Sequence, residues 1–279
     1  MMGDKLKGES AIITGSAQGI GKAIALRFAE EGANVLINDL DIDKANETAK
    51  EIKNKYPNVK VAVVASRETG DITKYENCAA MAETAKKEFG GVTILVNNAG
   101  LTLDKPVHTL SEGWWNIILD VILVGSFNMI KAVAPIMAEK KYGCIWNVSS
   151  VAGIGGNAAQ INYASAKSGL VGLTKAAARE LAPDNIAVNV VGFGAVWTRL
   201  IAPHEEVEIL GQKMAEMKAV SGQDPKNVMG MYKAGIPMCK SRDTPLMPED
   251  VANWFVAACS PDIHYMTGQW MVFSGGMML

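Results

Sequence analysis

The sequence predicts an α/β fold, a single domain built on a doubly wound parallel sheet of seven strands with helices on both faces. Short apolar runs alternate along the chain with segments of helical periodicity, a pattern that is typical of such sheets. At 279 residues, 49% of them hydrophobic, the chain is long enough to bury one large core. Neither an internal repeat nor a low-complexity linker divides it. The expected strands lie near residues 10–14, 34–38, 60–64, 92–97, 143–148, 186–191 and 269–273.

A glycine-rich segment follows the first expected strand. Residues 14–21 read Thr-Gly-Ser-Ala-Gln-Gly-Ile-Gly, and apolar positions at helical spacing follow as far as Gly32. We expect Gly15 to permit the turn, Gly19 to let a diphosphate approach the backbone, and Gly21 to let helix and strand pack closely. The amino terminus of that helix attracts the anion. The segment therefore predicts a dinucleotide site.

Asp39 ends the second expected strand, about 20 residues beyond the glycines, which is the spacing of an acid that binds a ribose. A carboxylate there accepts hydrogen bonds from both adenosine ribose hydroxyls and repels a 2′-phosphate. The neighbouring Ser16, Asn38 and Leu40 are uncharged, so we expect no nearby cation to attract that phosphate. The interpretation is a preference for NAD over NADP. In the alternative, Asp39 merely caps the next helix.

The most apolar stretch of the chain is 117–137. It contains Asp120, Lys131 and Pro135, so we expect a buried helix rather than a membrane span. Residues 1–7 are charged and lack the apolar core of a signal peptide. Both observations favour a cytoplasmic protein.

Tyr163 and Lys167 stand four residues apart, and Ser150 lies thirteen residues before the tyrosine. On one helix, positions i and i+4 share a face, so the ammonium can stand beside the phenol and lower its pKa into the range of a general base. The Ser150 hydroxyl can hold a carbonyl or alcohol oxygen next to the phenol. Most Tyr and Lys pairs at this spacing are ordinary surface residues, and the preceding glycine segment is what favours catalysis.

The composition argues against several other classes of function. A net charge of −2 offers no basic surface for nucleic acid. The histidines are far apart, so we expect no metal site. The cysteines lack a paired spacing, which favours thiols in a reducing cytoplasm over a disulfide framework. These residues are His108, His204 and His264, and Cys78, Cys144, Cys239 and Cys259.

Residues 14–21, the Asn-Asn-Ala-Gly run at 97–100 and the set of Ser150, Tyr163 and Lys167 resemble the short-chain dehydrogenase/reductase family in order and spacing. The likeness extends from about residue 7 to 276. It implies a Rossmann-type domain that moves a hydride between a nicotinamide and a carbonyl or alcohol. It also implies that Tyr163 donates and accepts the proton, that Lys167 lowers the pKa of Tyr163 and binds the nicotinamide ribose, and that Ser150 orients the substrate oxygen.

The resemblance implies further contacts and partners. Asp71 would meet the adenine, although a plain turn is the alternative, and Asn98 would contact the cofactor while Asn97 ties neighbouring strands. The helix over 117–137 would pair with a second copy in a homodimer or homotetramer; in the alternative it is covered within its own subunit. The expected cofactor residues are Gly15, Ser16, Gln18, Gly19, Ile20, Gly21, Asp39, Asp71, Ile72, Asn98, Gly100, Tyr163, Lys167, Val196 and Thr198.

Three positions depart from the family's pattern. Ile122 stands where the family has an asparagine that helps hold the water chain to the lysine, and isoleucine cannot replace its hydrogen bonds. Phe193 replaces a proline, and we expect its ring to reshape the entrance to the nicotinamide pocket. The third is the run Phe273-Ser274-Gly275-Gly276, where the family often has an aspartate before the two glycines. These departures leave open an active enzyme with a rerouted proton relay, a catalytically weakened NAD-binding subunit of a hetero-oligomer, and a dehydratase or epimerase of the wider superfamily.

Residues 197–248 are the least regular part and correspond to the family's substrate lid. Its methionines could contact a bulky, partly apolar substrate, or they could be ordinary core residues. Its cations could bind the phosphates of coenzyme A, or they could be solvated surface residues. We expect a β-hydroxyacyl or cyclic hydroxyacyl thioester, while a free secondary alcohol, a steroid, a sugar and a polyol stay open. The side chains concerned are Met214, Met217, Met229, Met231, Met238 and Met247, and Lys213, Lys218, Lys226, Lys233, Lys240 and Arg242.

Overall fold

The computed structural model describes residues 3–198, 207–209, 212–214, 230 and 234–277. Within these residues the chain forms a parallel seven-stranded sheet and one short antiparallel hairpin, which confirms the predicted fold class. The sheet contains β1 (Ser10–Thr14), β2 (Asn34–Asp39), β3 (Val61–Ala65), β4 (Ile94–Asn97), β5 (Gly143–Ser150), β6 (Ile186–Phe193) and β9 (Trp270–Phe273), and the hairpin is β7 (Val207–Ile209) with β8 (Gln212–Met214).

Helices cover both faces of the sheet. They are α1 (Gly19–Glu30), α2 (Ile42–Lys55), α3 (Tyr75–Phe89), α4 (Glu112–Leu119), α5 (Gly125–Lys140), α6 (Ala152–Gly155), α7 (Ile161–Leu181), and two later helices, Pro237–Arg242 and Pro248–Ala258.

Successive residues of β1 enter different cores. Ala11 and Ile13 pack with α1, α2 and the helix Pro248–Ala258, whereas Ile12 packs with α3 and α5. Side chains alternate across a strand, so a strand covered on both faces reads as a continuous apolar run. For this reason the strands appear in the sequence as continuous apolar runs and not as alternating apolar and polar residues.

The strand order β3-β2-β1-β4-β5-β6-β9 places the ligand crevice. The chain builds outward from β1 through β2 to β3 and then returns to the other side of β1 with β4. Connections from β1 and β4 therefore leave in opposite directions, which opens a crevice at the carboxyl ends of these two strands. The glycine segment after β1 and the Asn-Asn-Ala-Gly run after β4 both lie there.

The predicted helix over 117–137 is part of a longer helical stretch. The helix α4, a π-helical turn at Asp120–Val124 and α5 follow one another without a break. Among the described residues, Glu112–Lys140 is the stretch long and apolar enough to cross a membrane, by length and composition alone, with a mean hydropathy of 1.9. Half of its most apolar window is buried inside the protein. Met129 and Val133 of α5 are completely buried against α3 and the sheet.

Buried amides tie the centre of the sheet together. The Asn97 amide Nδ2 donates to Asn147 Oδ1 at 2.8 Å, and Asn147 Nδ2 donates to the Thr174 hydroxyl at 2.9 Å. This chain of bonds joins β4, β5 and α7, so the expectation that Asn97 ties neighbouring strands is confirmed. All four cysteines are buried free thiols.

Much of the expected lid lies outside the described residues. This applies to methionines 217, 229 and 231, to lysines 218, 226 and 233, and to the side chains of Lys213 and Met214. In the described part, Met238 is 53% exposed at the start of the helix Pro237–Arg242, and its N–H donates to the Gly275 carbonyl at 3.1 Å. Arg242 pairs with Asp250 at 3.2 Å. The described end of the expected lid therefore packs on the segment after β9.

Candidate active site

A cavity of about 560 Å³ lies in the crevice at the carboxyl ends of β1, β2 and β4. Most of the cofactor residues expected from the sequence line it. Gly21, Val196, Tyr163 and Lys167 are not part of its lining, and the buried Ser16 hydroxyl donates to the Ile13 carbonyl at 2.7 Å instead. The lining residues are Gly15, Gln18, Gly19, Ile20, Asn38, Asp39, Leu40, Asp41, Lys44, Arg67, Gly70, Asp71, Ile72, Asn98, Ala99, Gly100, Leu101, Val121 and Thr198.

The glycine segment has the conformation that its sequence predicts. Gly15 and Gly19 adopt φ values of +63° and +59°, in the region where a Cβ is strained. A Cβ on Gly21 would stand 2.3 Å from the Gly15 carbonyl oxygen, so only glycine lets α1 pack this closely. Gln18, which precedes α1, makes no side-chain cap. The first amides of α1 are therefore left for an anion at the cavity.

The Asn98 side chain fixes the two strands that border the cavity. Its Nδ2 donates to the carbonyls of Thr14 and Gly15 at 2.9 and 3.1 Å. In return, the Thr14 hydroxyl accepts from the N–H groups of Asn98 and Ala99, both at 3.0 Å. Asn98 thus holds the cavity open while also lining it.

Three backbone N–H groups hold the Asp39 carboxylate. Oδ2 accepts from Ala17 at 3.0 Å, and Oδ1 accepts from Leu40 at 2.8 Å and from Asp41 at 3.3 Å. The cap of α2 is Asp41, whose side chain accepts from the Lys44 N–H at 3.1 Å. The alternative that Asp39 caps this helix is therefore wrong. Asp39 presents a fixed negative charge to the cavity.

The expectation that no cation lies near Asp39 is also wrong. Lys44 in the first turn of α2 and Arg67 after β3 line the same cavity. The Lys44 ammonium pairs with Asp41 at 2.6 Å, and its hydrogen bond lowers the pKa of the Asp41 carboxyl. The immediate sequence neighbours of Asp39 are uncharged, whereas α2 and the β3 loop bring these cations from five and twenty-eight residues away.

The turn that was the alternative interpretation of Asp71 is present, and the contact of Asp71 with the adenine stays a prediction. Asp71 lines the cavity, and its Oδ1 also accepts from the N–H and the hydroxyl of Thr73 at 3.0 and 2.7 Å, as in a side-chain-stabilised turn. Asn128 of α5, which the sequence argument missed, donates to the carbonyls of Ile72 and Thr73 at 3.0 and 3.1 Å. A buried amide in an otherwise apolar helix is the signal that could have identified it.

The structure brings Ser150, Tyr163 and Lys167 together. Ser150 ends β5, and the other two lie on the first turns of α7. Ser150 is hydrogen-bonded to the Tyr163 phenol, and its oxygen accepts from the Ala152 N–H at 3.2 Å. The Lys167 Nζ lies 5.6 Å from the centre of the Tyr163 ring and donates to the Val148 carbonyl at 2.6 Å. The predicted shared face of α7 is therefore present.

Burial governs how these two groups ionise. It raises the pKa of Tyr163 to about 12, while the hydrogen bond with Ser150 lowers that pKa and the charge of Asp104 raises it. Burial also lowers the pKa of Lys167 to about 7. The expectation that Lys167 lowers the pKa of Tyr163 is therefore not met in this structure. Residue spacing predicts that two side chains share a helix face, but it does not predict how deeply they are buried. Burial disfavours the charged forms of both Tyr163 and Lys167.

Ile122 lies in the π-helical turn beside the lysine. It is 1% exposed, and a Cβ on Gly100 would stand 3.6 Å from its Cγ1 and 3.5 Å from the Lys167 Nζ. The Ile122 carbonyl accepts from the Ser126 hydroxyl at 2.6 Å. An apolar side chain therefore occupies the place where the family's asparagine was expected, and the Val148 carbonyl is the bonded partner of the ammonium.

Phe193 does not stand at the cavity entrance, so that expectation is wrong. Its ring is 3% exposed and lies 6.0 Å from Trp254, 5.9 Å from Phe255 and 6.1 Å from Phe273, measured between ring centres. Side-chain alternation along β6 turns it into the core under the helix Pro248–Ala258. The ring of Phe193 is thus accommodated in an aromatic cluster that includes Phe273 of β9.

Comparison with known proteins agrees with this architecture. The sequence model of a family described as short chain dehydrogenase matches residues 9–208. A protein named 3-oxoacyl-[acyl-carrier-protein] reductase FabG from Aquifex aeolicus is 35% identical over 273 residues, covering 98% of each chain. Proteins of the same name from Thermotoga maritima and Staphylococcus epidermidis are 34% and 36% identical, covering 99% and 97% of this chain and 100% and 99% of their own.

A solved structure extends the likeness to three dimensions. A crystal chain from Sinorhizobium meliloti, described as a short-chain alcohol dehydrogenase, superposes with a TM-score of 0.83 at 29% identity, covering 98% of this chain and 97% of its own. The strand order and the glycine turn of the structure agree with the family that the sequence comparisons identify, over nearly the whole chain. The chain is therefore an oxidoreductase that belongs to the short-chain dehydrogenase/reductase family, whose Rossmann-type fold binds a nicotinamide cofactor.

Proposed function

We propose that the protein is an NAD-dependent oxidoreductase that interconverts a β-hydroxyacyl and a β-ketoacyl thioester. The observation that carries the proposal is the Tyr163 phenol, bonded to Ser150 and facing the Lys167 ammonium, at the carboxyl end of the sheet. The name 3-oxoacyl-[acyl-carrier-protein] reductase, which the relatives share, supports an acyl thioester over a free alcohol, a steroid or a sugar.

The lining of the cavity fits a dinucleotide. Asp39 offers a fixed acceptor for the two hydroxyls of the adenosine ribose, and Asp71 offers one for the adenine amino group. The first amides of α1, at Gly19 and Ile20, suit the diphosphate. Thr198 lies close to the glycine turn, since a Cβ on Gly19 would stand 3.9 Å from its Cγ2. When bound, the nicotinamide ring accepts or supplies the hydride.

The Tyr163 phenol acts as the proton donor in the reductive direction. Its raised pKa keeps it protonated at neutral pH, so it donates one hydrogen bond to the substrate's keto oxygen while Ser150 holds the other side of that oxygen. Tyr163 gives up its proton as the carbonyl carbon is reduced to a carbinol. Oxidation is the reverse and needs the phenolate, which the burial of Tyr163 disfavours. The protein's own residues thus favour reduction near pH 7.

Lys167 is the cation that the phenolate faces once its proton has left. Its own pKa of about 7 lets the amine give or take a proton near neutrality. The bond from Nζ to the Val148 carbonyl positions the lysine, since Ile122 offers no side-chain acceptor. We infer a relay from Tyr163 through Lys167 to the backbone and water.

The first test is turnover with a defined thioester. Purified protein with NADH should reduce a β-ketoacyl thioester of coenzyme A, with consumption of NADH followed by its absorbance. The variant Tyr163→Phe should lose at least about a hundredfold in kcat, because it lacks the proton donor, and should still bind NADH in a fluorescence titration.

The control for this test is Tyr75→Phe. Tyr75 is 38% exposed at the start of α3, so the same chemical change there should leave kcat unaltered. Full activity of Tyr163→Phe would refute the role of the phenol. Turnover of simple ketones with none of the thioester would refute the substrate class.

The preference for NAD depends on the charge of Asp39. Wild-type protein should show a lower KM for NADH than for NADPH, and Asp39→Asn should shift the ratio of the two kcat/KM values at least about tenfold toward NADPH. The reason is that the amide no longer repels a 2′-phosphate, while Lys44 and Arg67 remain in the cavity. Asp43→Asn, on the exposed side of α2, is the control. A wild-type preference for NADPH would contradict the proposal.

Ile122 decides between an active enzyme and a weakened subunit. If the Val148 carbonyl already serves the lysine, Ile122→Asn should change kcat by less than about twofold. Ile122→Val, which keeps the contact apolar, controls for packing, and melting temperatures of both variants check that they fold. A gain of ten times or more in the Asn variant would instead favour a subunit whose proton relay is handicapped.

Exposed apolar side chains on two separate elements support the expected homodimer or homotetramer. Val124 and Phe127, in the π-helical turn and α5, are 39% and 48% exposed, and Met271 and Val272 on the edge strand β9 are 38% and 46% exposed. Sedimentation velocity should give two or four copies per particle, and Phe127→Lys should lower that number, because a buried charge costs several kcal/mol. A wild-type protein that sediments as a monomer would contradict the proposal.

A further inference from the structure

The turn that precedes α7 is fastened to the loop that follows β4. The Lys105 N–H donates to the Ala159 carbonyl at 2.8 Å, and the completely buried Asn162 donates from Nδ2 to the Leu103 carbonyl at 3.1 Å. Ala159 has a φ of +66°, in the left-handed region where a residue with a Cβ is strained. The turn is thus held in a strained shape by contacts from outside it.

A charged side chain stands at the centre of these contacts. Asp104 Oδ2 accepts from Gln160 Nε2 at 2.9 Å, and its Oδ1 accepts from the Thr102 hydroxyl. Gln160 is 6% exposed, and its Oε1 accepts from Asn157 Nδ2 at 2.9 Å. The carboxylate therefore reaches across from the β4 loop and is bonded through Gln160 to the other end of the turn.

This network adjoins the Tyr163 phenol. Gln160 is the residue immediately before α7, and the Tyr163 N–H donates to Asn162 Oδ1 at 2.8 Å in its first turn. The charge of Asp104 is close enough to raise the pKa of Tyr163, in the same direction as burial and against the bond from Ser150. Lys167 on α7 is the cation that faces the phenol.

We propose that Asp104 is a positioning residue for Tyr163, which fixes the turn before α7 through Gln160 and places a negative charge beside the phenol. The inference rests on the proposed function, because it takes Tyr163 as the proton donor. It adds two separable effects to that function. The bond to Gln160 sets where the phenol stands, and the charge keeps the phenol protonated and so favours the reductive direction.

Two variants separate the charge from the bond. Asp104→Asn removes the charge, so the phenolate forms more easily and the pH profile of kcat for oxidation should move to lower pH by about half a unit or more. Gln160→Met keeps the charge and loosens the turn, so kcat should fall severalfold with its pH profile unmoved. Glu112→Gln, an exposed carboxylate in the first turn of α4, is the matched control and should change neither.

The result that would overturn the proposal is equally specific. An Asp104→Asn profile that coincides with the wild type overturns it, as does a Gln160→Met profile that moves as far as that of Asp104→Asn, because loosening alone would then explain the shift. Circular dichroism checks that each variant folds. If Asp104→Asn does not fold, Asp104→Glu takes its place, since it keeps the charge and should retain the wild-type pH profile. A shifted pH profile in Asp104→Glu overturns the proposal.

A measurement without cofactor or substrate separates this inference from the proposed function. In protein labelled at the tyrosine ring carbon that bears the hydroxyl, the resonance absent from Tyr163→Phe identifies Tyr163. Raising the pH should begin to shift this resonance earlier in Asp104→Asn than in the wild type, and an identical onset overturns the inference. A wild-type enzyme inactive on every thioester would refute the proposed function and leave this comparison valid.

Discussion

Thr14 and Asn98 join the carboxyl ends of β1 and β4 at the point where the chain reverses its direction across the sheet. Four hydrogen bonds of 2.9 to 3.1 Å connect the two segments through side chains and not through the sheet ladder. Parallel strands with diverging connections would otherwise leave unpaired backbone groups at this edge. The bonds satisfy those groups and at the same time set the width of the crevice. The glycine turn and the cavity depend on these four hydrogen bonds.

Burial changes the pKa values of Tyr163 and Lys167 more than the attraction between the two groups does. Lys167 and Tyr163 share a face of α7, yet burial pushes the pKa of the lysine down and that of the phenol up. Each group is thereby closer to its neutral form at pH 7, and a proton that moved from the phenol to the amine would create an ion pair, which burial disfavours.

The sequence predicted the elements whose signals are local. The apolar strands, the glycines at 15, 19 and 21 and the shared face of Tyr163 and Lys167 each follow from nearest-neighbour rules of backbone and periodicity. What it could not predict depends on tertiary neighbours. Lys44 and Arg67 reach the cavity from separate elements, and Phe193 turns into the core because of the strand register of β6. The bonds that Asp104 makes with Gln160 join segments 56 residues apart.

The aromatic contact between β6 and the edge strand β9 fastens the last strand of the sheet to the core. Phe193 and Phe273 lie in register on paired strands, and Trp254 stacks on the Phe273 ring and meets the Phe193 ring edge to face. A proline at 193 would leave a void among these rings, because truncation of a large core side chain costs about 3 kcal/mol or more. Phe193 thus anchors the edge strand β9 from within the core, and a change at this position would loosen the last strand of the sheet without altering the lining of the cavity.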